Sequence, residues 1–203
     1  MKRQWKPVLV GAVAALLVLT VGGVALAGGS RWKEESGIEP SATRAVCSVS
    51  EPGTAAAVPL SETESEALLF MREEEKLARD VYTALYDRWG VSVFANIATS
   101  ESRHMTSVKT LLDHYGLTDP VAVDTPGVFA EPDLQALYTQ LVAQGTQSLN
   151  EALQVGVTIE TLDIEDLEAL LAASNHADIS RVAENLLSGS ENHLAAFTRH
   201  LAE

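Results

Sequence analysis

"FANIATSESRHMTSVKTLLDHY", Phe94 to Tyr115, is the stretch that decides the fold. Read at helical period, Phe94, Ile97, Glu101, His104, Val108, Leu111 and Tyr115 share one stripe at alternating steps of three and four, the buried seam of a helix in a bundle. A carboxylate and an imidazole thus occupy places where a bundle takes leucine. Burying a carboxylate costs several kcal/mol unless something pairs with it, and nothing adjacent in the sequence does. Its partner must come from another part of the chain or be a metal ion.

The flanking sequence supplies three more seams of the same kind. Upstream, Ser61 and Glu64 have capping-box spacing and open a helix that carries Leu68, Met71, Glu75, Ala78, Tyr82, Leu85 and Trp89 on one stripe and stops at Gly90. Two or three residues join it to a second helix, Ser92 to Tyr115, so the pair is an antiparallel hairpin. Leu117 to Pro132 is too rich in Pro, Gly and Asp for a helix interior, and a short helix over Asp133 to Gln144 follows. The interval Leu117 to Gln147 therefore reads as one long crossover. Ser148 and Glu151 form a second capping box, opening a third main helix that is carried to about Ala173, with Asp163 or Asp166 the place where it could be interrupted. Its seam is Leu149, Leu153, Gly156, Glu160, Asp163, Leu167 and Leu170. A fourth, from Asp178 to Leu201, carries Leu186, Ser190, His193 and Phe197 inward. The predicted fold class is all-α, a four-helix bundle over residues 61–203 with a long crossover between helices 2 and 3.

Each main helix has a metal-ligand type near its middle, and the depths agree. From Glu75 to the end of the first helix is about 21 Å, and from the start of the second to Glu101 and His104 about 15 Å, at the helical rise. In the other hairpin both distances are about 20 Å. Glu75, Glu101, His104, Glu160 and His193 can therefore share one layer. Residues three apart, such as Glu101 and His104, project to the same side of a helix and can reach one cation or two adjacent ones. Taken singly, each also has a plainer reading, as a surface acid or as a hydrogen-bonded core group.

Composition narrows the function classes. The chain has 203 residues, 46% hydrophobic and only 5% aromatic, enough for one cored domain and weighted toward helix. Fourteen Lys and Arg stand against 28 Asp and Glu, a net charge of −14, which argues against nucleic acid or an anionic lipid surface as partner. The single cysteine, Cys47, excludes an internal disulfide and a multi-cysteine metal site. At the N-terminus a basic segment precedes the apolar residues 7–27, and "ALA" at Ala25–Ala27 has the small-x-small form of a signal-peptidase site. Residues 1–27 read as a cleaved signal or an uncleaved membrane anchor, and either one exports the remainder. Residues 28–60, mixed in Gly, Ser, Pro, Ala and charge, read as a flexible linker. His114, His176 and His200 have no matched partner and are assigned to the surface.

"EKLARDVY", Glu75 to Tyr82, resembles the first-helix ligand segment of rubrerythrins and ferritins, and "ESRH", Glu101 to His104, resembles their second-helix Glu-x-x-His. Glu160 and His193 fall where those proteins have their third-helix Glu and fourth-helix His. From Ser61 to Leu201 the chain is most similar to a prokaryotic ferritin-like family catalogued as domain of unknown function 2202. The resemblance implies a ferritin-like bundle holding two divalent ions, iron above all, with manganese or zinc as alternatives. The activity it implies is that of a di-iron oxidoreductase of peroxidase or ferroxidase type, acting on oxygen, peroxide or ferrous iron. It also implies that Tyr82 hydrogen-bonds near the metals, although a tyrosine on a seam serves equally as core. One position departs from the pattern: Ser190 stands where the fourth-helix Glu-x-x-His requires Glu. Asp163, one turn from Glu160, is the expected compensation. Two other readings remain open, a metal-binding or storage module without turnover and a structural bundle with a degenerate site. A membrane contact is expected only through the N-terminal segment, and ferritin-like bundles often pair as homodimers.

Overall fold

The computed structural model describes residues 59–203, which form five α-helices without a strand. The expected signal or anchor and all but the end of the expected linker lie outside the described residues. Helix α1 spans Glu62–Trp89, α2 Ser92–Tyr115, α3 Pro132–Gly145, α4 Leu149–Ala173 and α5 Ala177–Leu201. The first capping box forms in full, whereas at the second Ser148 caps the helix but Glu151 returns no bond, its carboxylate accepting from Gln144 Nε2 at 2.8 Å instead. Ser61 Oγ accepts the amide of Glu64 at 3.1 Å while its own amide donates to Glu64 Oε2 at 2.9 Å, and Ser148 Oγ accepts the amide of Glu151 at 3.1 Å. Gly90 and Gly116 end α1 and α2 at φ +67°, a conformation in which any side chain is strained. Helix α4 runs unbroken past Asp163 and Asp166. Helix α3 starts one residue earlier than the sequence suggests, since Pro is tolerated in a first turn.

The packing order follows from cross-helix contacts. Trp89 Nε1 donates to Gly145 O at 2.8 Å, Tyr82 reaches Glu160, and Ser174 Oγ donates to Glu64 Oε1 at 2.9 Å, so α1 and α4 are antiparallel. The Tyr115 hydroxyl lies 2.8 Å from Asp178, and the rings of Phe94 and Phe197 are 5.7 Å apart, so α2 and α5 are antiparallel as well. Two hairpins, α1–α2 and α4–α5, thus pack side by side, and the crossover spans the length of the bundle between them. Among the described residues no helix is long and apolar enough to cross a membrane.

Two separate apolar clusters make the core. One gathers Val81, Leu85, Phe94, Ile97, Ile159 and Phe197 toward the α1–α2 turn. The other gathers Leu68, Met71, Val108, Leu112, Leu167 and Leu186 at the opposite end. The polar seam residues fill the layer between them. Gly156 lets Phe197 close the first cluster, because a Cβ there would lie 2.6 Å from the ring.

The outer face of α1 is buried too, although "REEEKLARD", Arg72–Asp80, is dense in charge. Arg72 donates to both Asp119 carboxylate oxygens at 3.0 and 3.1 Å, and Glu73 accepts the amides of Ala130 and Glu131 at 2.6 and 3.0 Å. Lys76 donates to Asp80 and to Thr125 O, with the Phe129 ring 4.3 Å away, and Asp80 accepts the Gly127 amide at 2.9 Å. Every charge in these contacts faces the crossover, which is how so polar a face is buried without orphaned ions. The assignment of His176 to the surface is corrected. Its ring packs against Tyr115, with Nδ1 3.3 Å from that hydroxyl and Nε2 3.7 Å from Glu64 Oε1, because the α4–α5 turn folds over the start of α1. His114 and His200 are exposed as expected.

Candidate metal centre

Helix periodicity turns one side chain from α1, two from α2, two from α4 and one from α5 into the layer between the apolar clusters. Glu75, Glu101 and Glu160 are each 2% exposed there. Their ligand atoms and those of two imidazoles form two overlapping groups, Glu75–Glu101–His104 and Glu101–Glu160–His193, in each of which all atoms lie within 4.8 Å of one another. Glu101 belongs to both. His104 Nδ1 is 2.7 Å from Glu101 Oε2 and 3.3 Å from Glu75 Oε2. His193 Nδ1 is 2.8 Å from Glu101 Oε1 and 3.4 Å from Glu160 Oε2. The rings lie stacked, centroids 5.6 Å apart.

These short distances are not aligned hydrogen bonds. Glu75 Oε1, Glu101 Oε1 and Nδ1 of both histidines are buried with no hydrogen-bond partner. Leaving such groups bare costs about 1–3 kcal/mol each, so a fold that collects four of them at one point is poorly served without a further occupant. In each group the donor atoms lie close enough together to reach a single cation. Three carboxylates and two imidazoles make a mixed oxygen and nitrogen donor set that fits iron or manganese, and zinc also.

The electrostatics of the layer agree with its donor set. Burial pushes Glu75 well above the usual carboxylate range, with Asp163 and Glu101 adding to it. Burial likewise raises Glu160 to about 7. For Glu101 burial acts upward as well, but the two flanking imidazoles prevail and hold it at about 2. Burial opposes the charge on His193, and the Glu101 and Glu160 carboxylates outweigh it, lifting the ring to about 9. A divalent cation would remove this competition for protons.

Tyr82, fully buried, donates to Glu160 Oε1 at 2.6 Å and fixes the carboxylate from behind. Its ring packs 5.2 Å from that of Phe197, so it serves both as core and as support for the layer. Asp163 stands in the same layer but in neither three-residue group: Ser190 Oγ donates to its Oδ2, and Oδ1 is buried and bare. All the residues singled out in the sequence are therefore brought together, Asp163 at the margin. Sequence reasoning missed Gly189, where a Cβ would sit 2.7 Å from His104 Nε2, and Glu74, whose buried carboxyl faces Asp166 and Asp163. The signal for Gly189 was its place one turn before His193; for Glu74 there was none, because an acid beside Glu75 reads as solvated.

Comparison with known proteins agrees with this architecture. Residues 64–203 match a family described as an uncharacterized protein domain, DUF2202. The uncharacterized protein MJ0754 of Methanocaldococcus jannaschii is 52% identical over 143 residues, 70% of this chain and 77% of that one. The crystal structure of the hypothetical protein MJ0754 superposes with a TM-score of 0.70, covering 71% of this chain and 83% of that one. A DUF305 fragment from Deinococcus radiodurans, 16% identical and matched over 71% of this chain and 99% of its own, shares the fold alone at a TM-score of 0.53. With most of its length matched and a relative this similar, the chain belongs to the DUF2202 family.

Proposed function

We propose that this protein is a ferritin-like di-metal carboxylate protein, an oxidoreductase that acts on oxygen, peroxide or ferrous iron outside the cytoplasm. The observation that carries the reading is the pair of three-ligand groups sharing Glu101, with bare donor atoms at their centre. Two antiparallel hairpins joined by one long crossover support the ferritin-like relationship. The apolar and basic character of residues 1–27 supports export.

A pair of iron ions held here would supply redox chemistry with dioxygen or peroxide. The chain's own residues supply the rest. Glu75 and His104 hold one side of the layer, Glu160 and His193 the other, and Glu101 spans both. Tyr82 keeps Glu160 oriented through its hydroxyl. The apolar clusters above and below exclude bulk water, and the two imidazoles keep 11% and 12% of their side-chain surface exposed. With one cysteine the chain builds no iron–sulfur module, so reducing equivalents come from another molecule.

A second reading, metal binding without turnover, is favoured by Ser190, which removes one carboxylate from the expected donor set. Metal content by mass spectrometry, with iron, manganese and zinc supplied, tests both against a Glu101→Ala/His104→Ala control. Two redox-active ions per chain that are lost in the control, followed by turnover of oxygen or peroxide, support the oxidoreductase; ions without turnover support the second reading. Metal near zero in a folded chain rules out both.

A further inference from the structure

Glu74 follows Glu73 and precedes the ligand Glu75, yet its side chain points about 100° around the helix from either. The register set by Tyr82 against Glu160 and Glu64 against Ser174 brings it level with Asp166 on α4. Asp166, Asp163 and Glu75 all lie close enough to act on the Glu74 carboxyl. Glu74 is 7% exposed with Oε2 bare, Asp163 is 5% exposed with Oδ1 bare, and Asp166 is partly exposed. Three acids thus run in file from the rim of the α1–α4 seam to the centre, two of them buried with unpartnered oxygens.

The neighbouring bases do not neutralise this file. Arg72 and Lys76 are turned to the crossover and engaged by Asp119 and Asp80. Helix α3 does not cover it either. Glu73 binds the amides of Ala130 and Glu131, just before α3 begins, and α3 then runs toward Gly145 beside Trp89. It roofs the seam on the Trp89 side of that level, and Glu74 with Asp166 lies at its edge. Burial and the neighbouring acids push Glu74 well above the usual carboxylate range, so a cation meets Asp166 first at the partly exposed rim and displaces a proton on reaching Glu74.

We propose that Asp166, Glu74 and Asp163 form the route by which divalent cations reach the centre, captured first at Asp166 and handed inward past Glu74. The inference rests on the di-metal reading above and deepens it, with the metal ion as cargo.

The test is the rate at which the full-length protein takes up Co2+, followed by stopped-flow absorbance, with final content measured by mass spectrometry. Glu74→Gln and Asp166→Asn are expected to reach the unchanged final content about tenfold more slowly at low salt, with the gap narrowing as salt rises. Exposed Glu168→Gln on the same helix is the control and keeps the native rate. Should Glu74→Gln loosen the bundle, seen by circular dichroism, Asp166→Asn on the rim carries the test alone. Native uptake rates in a folded Asp166→Asn variant overturn the route while leaving the centre intact. A lowered final content in Glu74→Gln or Asp166→Asn also overturns it, since it makes that acid a ligand. No uptake by the unmodified protein overturns the centre and the route together.

Discussion

The Ser190 hydroxyl on α5 donates to Asp163 on α4, so a side chain of one helix holds a carboxylate of the next within the polar layer. The oxygen that Ser190 does not engage is buried and bare, and its charge bears on Glu75 and His104. Asp163→Ala is expected to lower metal content, and unaltered content removes Asp163 from the donor set. Ser190→Ala strands the other oxygen, and urea denaturation of the metal-free protein is expected to show a loss of about 1–3 kcal/mol.

Gly189 tests the position of one ring. Gly189→Ala puts a methyl 2.7 Å from His104 Nε2, and the imidazole must move. The ion of the Glu75–Glu101–His104 group is expected to weaken while that of the His193 group stays. Alanine also favours a helix over glycine by about 1 kcal/mol, so the variant's metal-free form is expected to melt no lower than the parent unless the ring resists. Full metal content together with a raised melting temperature would show that the ring yields freely, against this expectation.

The metal-free protein is expected to lose stability as pH rises. Burial lifts Glu160 from 4.5 to about 7 and Asp163 from 3.8 to about 6, and each contribution is lost as pH climbs from the unfolded to the folded value. His193 is lifted from 6.5 to about 9 by Glu101 and Glu160 against its burial, and that contribution is present below 6.5 and lost as pH rises through 9. Glu101 opposes them only on the acid side, where its stabilisation disappears as pH falls from 4.5 toward 2. Melting temperature should therefore fall between about pH 5 and pH 9 without metal, and divalent ions, which replace protons, should flatten or reverse the slope. A metal-free protein most stable at pH 9 would contradict this charge arrangement.

The crossover tethers should differ sharply from surface pairs. Asp80→Ala leaves Lys76, 1% exposed, as a buried cation without its carboxylate, an expected loss of about 3–5 kcal/mol. Asp113→Ala breaks the exposed Lys109–Asp113 pair and is expected to cost no more than about 1 kcal/mol. Comparable losses by chemical denaturation would mean that the crossover is held mainly by its apolar contacts.

Much of this architecture was legible because the physics that sets it is local. The seams containing Glu75, Glu101 and Glu160 follow from helical period, and the boundaries at Ser61, Gly90, Gly116 and Ser148 follow from capping chemistry. The outer face of α1 was not legible. Arg72, Glu73, Lys76 and Asp80 look like a solvated surface, and only the path of a crossover about 50 residues downstream buries them. His176 was misplaced for the same reason, since its partners Tyr115 and Glu64 are distant in sequence. Five candidate ligands could be brought to one depth by counting the helical rise, but Gly189 beside His104 depends on the rotation of α5, which no count provides.

Helix α1 presents Glu75 inward and, within the same turns, Arg72, Glu73, Lys76 and Asp80 to the crossover. One added or deleted residue rotates everything beyond it by about 100°, so no indel between Arg72 and Asp80 can preserve both alignments. This stretch is therefore closed to changes of length even where it tolerates changes of side chain. Drift in length must be absorbed by turns and chain ends, leaving a nine-residue ruler, Arg72–Asp80, against which the crossover and the inner layer are both measured.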